Sequence, residues 1–414
     1  MHRLAALLLL AAAPQDGPAA AADWRTWRGP TGNGVAAESE APATTWSETS
    51  NVVWSAPVPG RGHSSPAVVG GRIVLTTADE AAQVQSVLAF DRATGKPLWK
   101  TDVHRGGFPA KIHVKNTHAS PTPASDGERV YVSFFNAEAV HVTALDLEGK
   151  RAWQTTVGPL RPKQYQHGYA PSPMLYKGLV VVAVDSDEPG FLAALDAKTG
   201  RMKWRVPRPA KTSYSTPVVA RLAGRDQLLV SGCEIVASYD PATGRPLWST
   251  PGTTQATCGT IVWDKDLVFA SGGYPKSETV AVRADGSGRV VWRNAQKCYE
   301  QSMLAWEGHL YAVTDAGTAF CWSAADGTER WTARVSGKPS ASPVLAGGNI
   351  YVSDERGTTN VFRADPKEFK EVARNKLGDE SMATPVFCGN RIYARVAKGS
   401  GGSRQESLYC IGKP

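Results

Sequence analysis

Six of the eight histidines crowd into one stretch: His63, His104, His113, His118, His141 and His167. Imidazole ligates metals and carries protons near neutral pH, so such a cluster could hold a metal or an anion. No His-x-His spacing and no paired carboxylate reinforces it, and no metal site is expected. The expectation is instead loop histidines bonded to backbone or water. The six cysteines, Cys233, Cys258, Cys298, Cys321, Cys388 and Cys410, all fall in the second half without a Cys-x-x-Cys. A zinc ribbon and a thioredoxin-type redox site are thereby excluded. Gly-x-Ser-x-Gly, His-Glu-x-x-His and P-loop patterns are also absent, and no catalytic residue is assigned.

Composition narrows the classes further. The chain has 414 residues, 42% hydrophobic and 20% charged, with net charge +8. Its lysines and arginines are scattered, with no basic run or helix of the kind that tracks phosphates, so no nucleic-acid partner is expected. The longest apolar run, Leu4 to Ala13, is too short to span a bilayer. Preceded by His2 and Arg3 and followed by Ala20-Ala21-Ala22, it reads as an export signal over 1–22. No cysteine stands near that cleavage site, which argues against a lipid anchor. Residues 23–50 form an N-terminal extension, and 51–414 the body.

The body repeats. Ala89-Phe-Asp91-Arg-Ala-Thr94-Gly95-Lys-Pro-Leu-Trp99 returns as Ala194 to Trp204 and as Ser238 to Trp248. Looser copies end at Trp153, Trp292 and Trp331, and Trp54 stands one interval before the first. A second marker keeps the same beat: Ser65, Ser120, Ser172, Thr216, Thr260, Ser302, Ser342 and Thr384, usually followed by Pro. Eight markers imply eight units, and periodicity on this scale belongs to propellers or solenoids.

Each unit reads as four short strands. In the first they are Pro66 to Val69, Arg72 to Thr76, Ser86 to Phe90 and Pro97 to Lys100. These runs are rich in β-branched and aromatic residues and punctuated by Gly and Asp. Asp91 suits a turn in which its carboxylate accepts backbone N–H groups, and Gly95 suits a left-handed residue. A lone four-stranded sheet cannot cover both its faces, whereas radial stacking does. The expected fold is therefore all-β: an eight-bladed β-propeller of four-stranded antiparallel blades. The last unit, from Thr384 to Ile411, lacks an outer strand. Asn51 to Ser55 has that strand's form and no blade of its own, so it is expected to close the ring.

The Ala-x-Asp-x-x-Thr-Gly-x-x-x-Trp segments resemble the tryptophan-docking motif of the quinoprotein propellers. That family includes dehydrogenases using pyrroloquinoline quinone (PQQ) and the scaffold lipoprotein of the outer-membrane barrel assembly machinery. The resemblance covers about residues 51–414. It implies structural docking roles for Trp54, Trp99, Trp153, Trp204, Trp248, Trp292 and Trp331. The preceding Trp24-Arg-Thr-Trp27-Arg28-Gly29-Pro30 is similar to the leader of secreted bacterial PQQ-like repeat proteins. The dehydrogenases carry adjacent disulfide-linked cysteines and a calcium cluster over the cofactor. Neither has a counterpart here, so no cofactor, PQQ included, is expected. Fold alone does not supply a function.

Residues two before each marker should ring one mouth of the channel: His63, His118, Ala170, Tyr214, Cys258, Glu300, Ser340 and Met382, with Tyr169 and Tyr299 one place earlier. A hydrated channel lining accounts for such a ring, and so does a ligand or partner funnel. The candidate binding residues are His63, His118, Tyr169, Tyr214 and Tyr299. The leading expectation is a monomeric, non-catalytic propeller that binds a protein in the periplasm or cell envelope. A PQQ-dependent dehydrogenase and a carbohydrate or small-ligand binder are the alternatives. Cys321, Cys388 and Cys410 fall in buried slots of the repeat, while Cys258 and Cys298 leave a disulfide open.

Overall fold

The computed structural model describes residues 23–37 and 41–413; the export-signal reading of 1–22 lies outside the described residues. Eight four-stranded antiparallel sheets follow one another around a ring. Blade one comprises Ala67–Val69, Arg72–Asp79, Val84–Asp91 and Pro97–Arg105, from the channel outward. The middle strands are buried on both faces because each blade is covered by its two neighbours. They therefore read as unbroken apolar runs, as in Leu179–Val184 and Phe191–Asp196 of blade three. Outer strands alternate toward solvent, as in Met202–Pro207. No helix among the described residues is long and apolar enough to cross a membrane.

The repeat motif acts between blades. Asp91 Oδ1 accepts the Thr94 N–H at 2.8 Å and its hydroxyl at 2.7 Å. These bonds, led by the Thr94 hydroxyl, hold the exposed Asp91 carboxyl below its usual range. Gly95 follows at φ +72°. The glycine is required twice over, because the preceding blade's tryptophan occupies the space of a side chain. A Cβ on Gly200 would lie 2.6 Å from Trp153 Cε3. The same relation joins Trp99 to Gly149, Trp204 to Gly244 and Trp292 to Gly327. In blades one and two the indole N–H is fixed across the seam: Trp99 donates to Leu147 O at 2.9 Å and Trp153 to Ala197 O at 3.0 Å. Trp248 differs, donating to Gln227 Oε1 within its own blade. The motif's Ala slot pairs with the tryptophan on the adjacent strand, and Cys321 and Cys410 fill it opposite Trp331 and Trp54. All six cysteines are free, so Cys258 and Cys298 form no disulfide.

Val52–Val58 is the outer strand of blade eight, paired with Gln405–Ile411 and then with Arg391–Lys398 and Val386–Cys388. A buried ion pair seals the seam to blade one. Arg395 Nε donates to Glu406 Oε2 at 2.6 Å, and its Nη1 donates to Thr76 O at 2.8 Å. Glu406 Oε1 accepts the Gly62 N–H.

Candidate functional site: a channel closed at one end

The Ser/Thr markers form a hydroxyl ring around the channel. The Ser65 N–H donates to Thr122 Oγ1, Thr122 N–H to Ser172 Oγ, and Ser172 N–H to Thr216 Oγ1, each at 2.9–3.0 Å. The chain resumes from Thr260 to Ser302, Ser342 and Thr384 at the same distances. Each of these hydroxyls accepts an N–H from the preceding blade.

The marker of blade two is thus Thr122, not Ser120. Both precede a proline in Ser120-Pro-Thr122-Pro, and the hydrogen bond selects the second. The shift by two residues removes His118 from the mouth. Its ring stacks on Phe108 at 4.2 Å, outside the cavity. Ser120 takes its place on the wall. Tyr169 also leaves the site: it is buried in the core between blades two and three, and its hydroxyl donates to Ala183 O at 3.0 Å. His63, Tyr214 and Tyr299 do line the cavity.

The other end is closed by the N-terminal extension, a role that sequence reasoning missed. Trp24 exchanges two backbone hydrogen bonds with Val68 of blade one, and Arg25 O accepts the Ser125 N–H of blade two. Asn33 bonds both backbone groups of Trp263 in blade five. Val35 bridges Leu345 of blade seven in parallel. Between these anchors Trp27 enters the channel and donates to Thr260 Oγ1 at 2.8 Å. That hydroxyl stands at one of the two places where the ring of marker bonds is interrupted. Arg28 is buried without a carboxylate; it donates to the carbonyls of Pro343, Met303 and Asn33. Burial lowers its pKa to about 9.

The result is a blind funnel of about 210 Å³ with the Trp27 indole among its lining. One wall is aromatic. The His113 and His167 rings lie 4.8 Å apart, His167 and Tyr214 6.0 Å apart, and the Tyr214 hydroxyl donates to Tyr165 O. Burial raises the pKa of Tyr214 and of Tyr299, so both stay neutral phenols. His63 is held as a neutral imidazole: burial, then the nearby Arg61, Arg395 and Arg404, lowers its pKa to about 3. Its buried Nε2 has no hydrogen-bond partner among the described residues. Across the mouth, Lys115 Nζ lies 2.7 Å from Glu355 Oε1 and 3.3 Å from Glu300 Oε1.

Ring, docking motif and central funnel define the quinoprotein-type propeller class. A family model described as outer membrane protein assembly factor BamB matches residues 28–162, 83–332 and 276–368, and the chain belongs to that family. A BamB of Moranella endobia is 25% identical over 333 residues, covering 76% of this chain and 79% of that one. The quinohemoprotein alcohol dehydrogenase ADH IIB of Pseudomonas putida is 26% identical over 319 residues, 72% of this chain but 41% of the enzyme. Among solved structures, BamB from Moraxella catarrhalis superposes with a TM-score of 0.60 at 14% identity, over 86% of this chain and 96% of that one. A europium-containing methanol dehydrogenase gives 0.69 at 12% identity, over 94% and 98%. At these identities the structural likeness speaks for the fold alone.

The dehydrogenase relatives raise the question of PQQ, a planar quinone bearing three carboxylates. Holding it calls for several cations, since a buried charge needs a partner. Among the described residues Lys115 is the one Lys or Arg lining the funnel, and two glutamates already surround it. The residues present do not fit PQQ. Among the described residues no group of three or more His, Cys, Asp or Glu is placed to hold a metal ion.

Proposed function

We propose that this chain is a monomeric, non-catalytic scaffold of the cell envelope that binds a protein partner at the open mouth of its ring. The observation that carries this reading is the funnel itself. It has an aromatic wall and a mouth crossed by the Lys115 ammonium between Glu300 and Glu355. Membership in a family described as an outer-membrane assembly factor supports the same reading. Exposed apolar groups stand beside the opening: Val114 is 81% exposed, and Tyr274 packs edge-on to Tyr165 while remaining half exposed. Tyrosines at such a rim bind with little loss of rotamer freedom.

A photo-crosslinking residue placed at Val114 or Tyr274 in cells tests this. It is expected to capture one discrete envelope protein, while the same group on the outer strand at Met202 captures none. Capture from Met202 alone would overturn the choice of face. A fusion of residues 1–22 to a reporter active only outside the cytoplasm tests the envelope location, and an inactive reporter would contradict it.

A further inference from the structure

Residues 106–123 connect blade one to blade two, and Lys115 in this connection reaches across the channel. Lys115 meets Glu300, which precedes blade six, and Glu355 of blade seven. Blades two and six stand opposite each other in an eight-membered ring, so this ammonium bridges the mouth. Ser340 Oγ completes its surroundings, within hydrogen-bond reach of Glu355 Oε1 at 2.9 Å and of Glu300 Oε2, its one proton serving either carboxylate. Burial works against the Lys115 cation, but the two glutamates outweigh it and raise its pKa. Two carboxylates thus meet one ammonium, with the Ser340 hydroxyl bonded between them, in a funnel that Tyr214 and Tyr299 also line. Carboxylates that pair with an ammonium, in a funnel with an aromatic lining, are the chemistry of a receptor for a basic side chain. Lys115 is 41% exposed and its glutamates about a quarter, so the pair is screened and weakly held. Even when closed, the two carboxylates outnumber the one cation.

We infer that the Glu300–Glu355–Ser340 group is a binding site for a lysine or arginine side chain of a partner polypeptide, and that Lys115 is an internal stand-in which the partner displaces. The inference rests on the mouth being the binding face. A tethered stand-in competes at high effective concentration, so its removal should strengthen binding.

The probe is Nα-acetyl-lysine methylamide, with the norleucine analogue as control, titrated against the full protein by ligand-observed NMR. Lys115→Ala is expected to tighten lysine binding about two- to fivefold, the range of an exposed ion pair, and to leave norleucine unchanged. Adding Glu300→Gln and Glu355→Gln to that variant should abolish the lysine signal. Lys297→Ala makes the same charge change beside Tyr299 without emptying the site, since Lys297 pairs with Asp315. An equal gain in Lys297→Ala, no gain in Lys115→Ala, or no lysine binding to either would overturn the inference. Crosslinking from Val114 that persists in those cases would leave the scaffold reading standing.

Discussion

Trp54 lies against Gly95. The indole belongs to blade eight, where it pairs with Cys410, yet its six-membered ring fills the space in which a Gly95 side chain would stand in blade one. One residue near the start of the body therefore completes the last blade and docks it onto the first. Trp54→Ala should lower stability by about 3 kcal/mol, the lower part of the range for large aromatic truncations, because this indole is only partly buried. Gly95→Ala should lower it as well, through the clash and the positive φ. Thermal melting checks both. An unchanged midpoint in Trp54→Ala would contradict closure by this strand.

The seam holds a second device. Arg395 and Glu406 are each 2% exposed, and removing one partner strands a buried charge. Glu406→Gln should cost about 3–5 kcal/mol, whereas Glu371→Gln, in an exposed pair with Arg374, should cost under about 1 kcal/mol. Denaturant unfolding of the two variants side by side checks the contrast.

The floor of the funnel depends on Arg28. Arg28→Ala leaves the carbonyls of Pro343 and Met303 without their donor, a loss of roughly 1–3 kcal/mol per stranded buried group. The expected outcome is a lower melting temperature and faster proteolysis near residues 23–37. Unaltered protease resistance would mean that the strap is held without this guanidinium.

His63 gives stability a pH dependence. Its imidazole titrates near 6.5 when unfolded and near 3 when folded. Between those values the unfolded chain binds the extra proton. The stability present above pH 6.5 is therefore lost as pH falls toward 3. His63→Gln should flatten the melting temperature between pH 6.5 and 4 relative to the parent chain. An identical slope would show that other groups govern acid sensitivity.

The ring was legible because its two markers are local and repeated. Asp-x-x-Thr-Gly and the tryptophan need only their own turn and the next blade, so sequence spacing carries them. The channel was less legible. Ser120 and Thr122 satisfy the same pattern, and only the cross-blade bond from the Ser65 N–H tells them apart. That slip placed His118 in the mouth. Tyr169 instead packs into the core between blades two and three, where its hydroxyl finds Ala183 O, and its neighbour Ala170 takes the channel side. Trp27 and Lys115 act through contacts 233 and 240 residues away, to Thr260 and Glu355, and no local spacing encodes them.

We propose a propeller whose funnel binds partners and performs no quinone chemistry. Titrating the purified protein with PQQ and calcium, while following alcohol-dependent dye reduction in the same sample, tests it most directly. The account expects no saturable PQQ binding and no dye reduction above the protein-free rate, since Lys115 is already shared by Glu300 and Glu355. Stoichiometric PQQ uptake with turnover of an alcohol would contradict it.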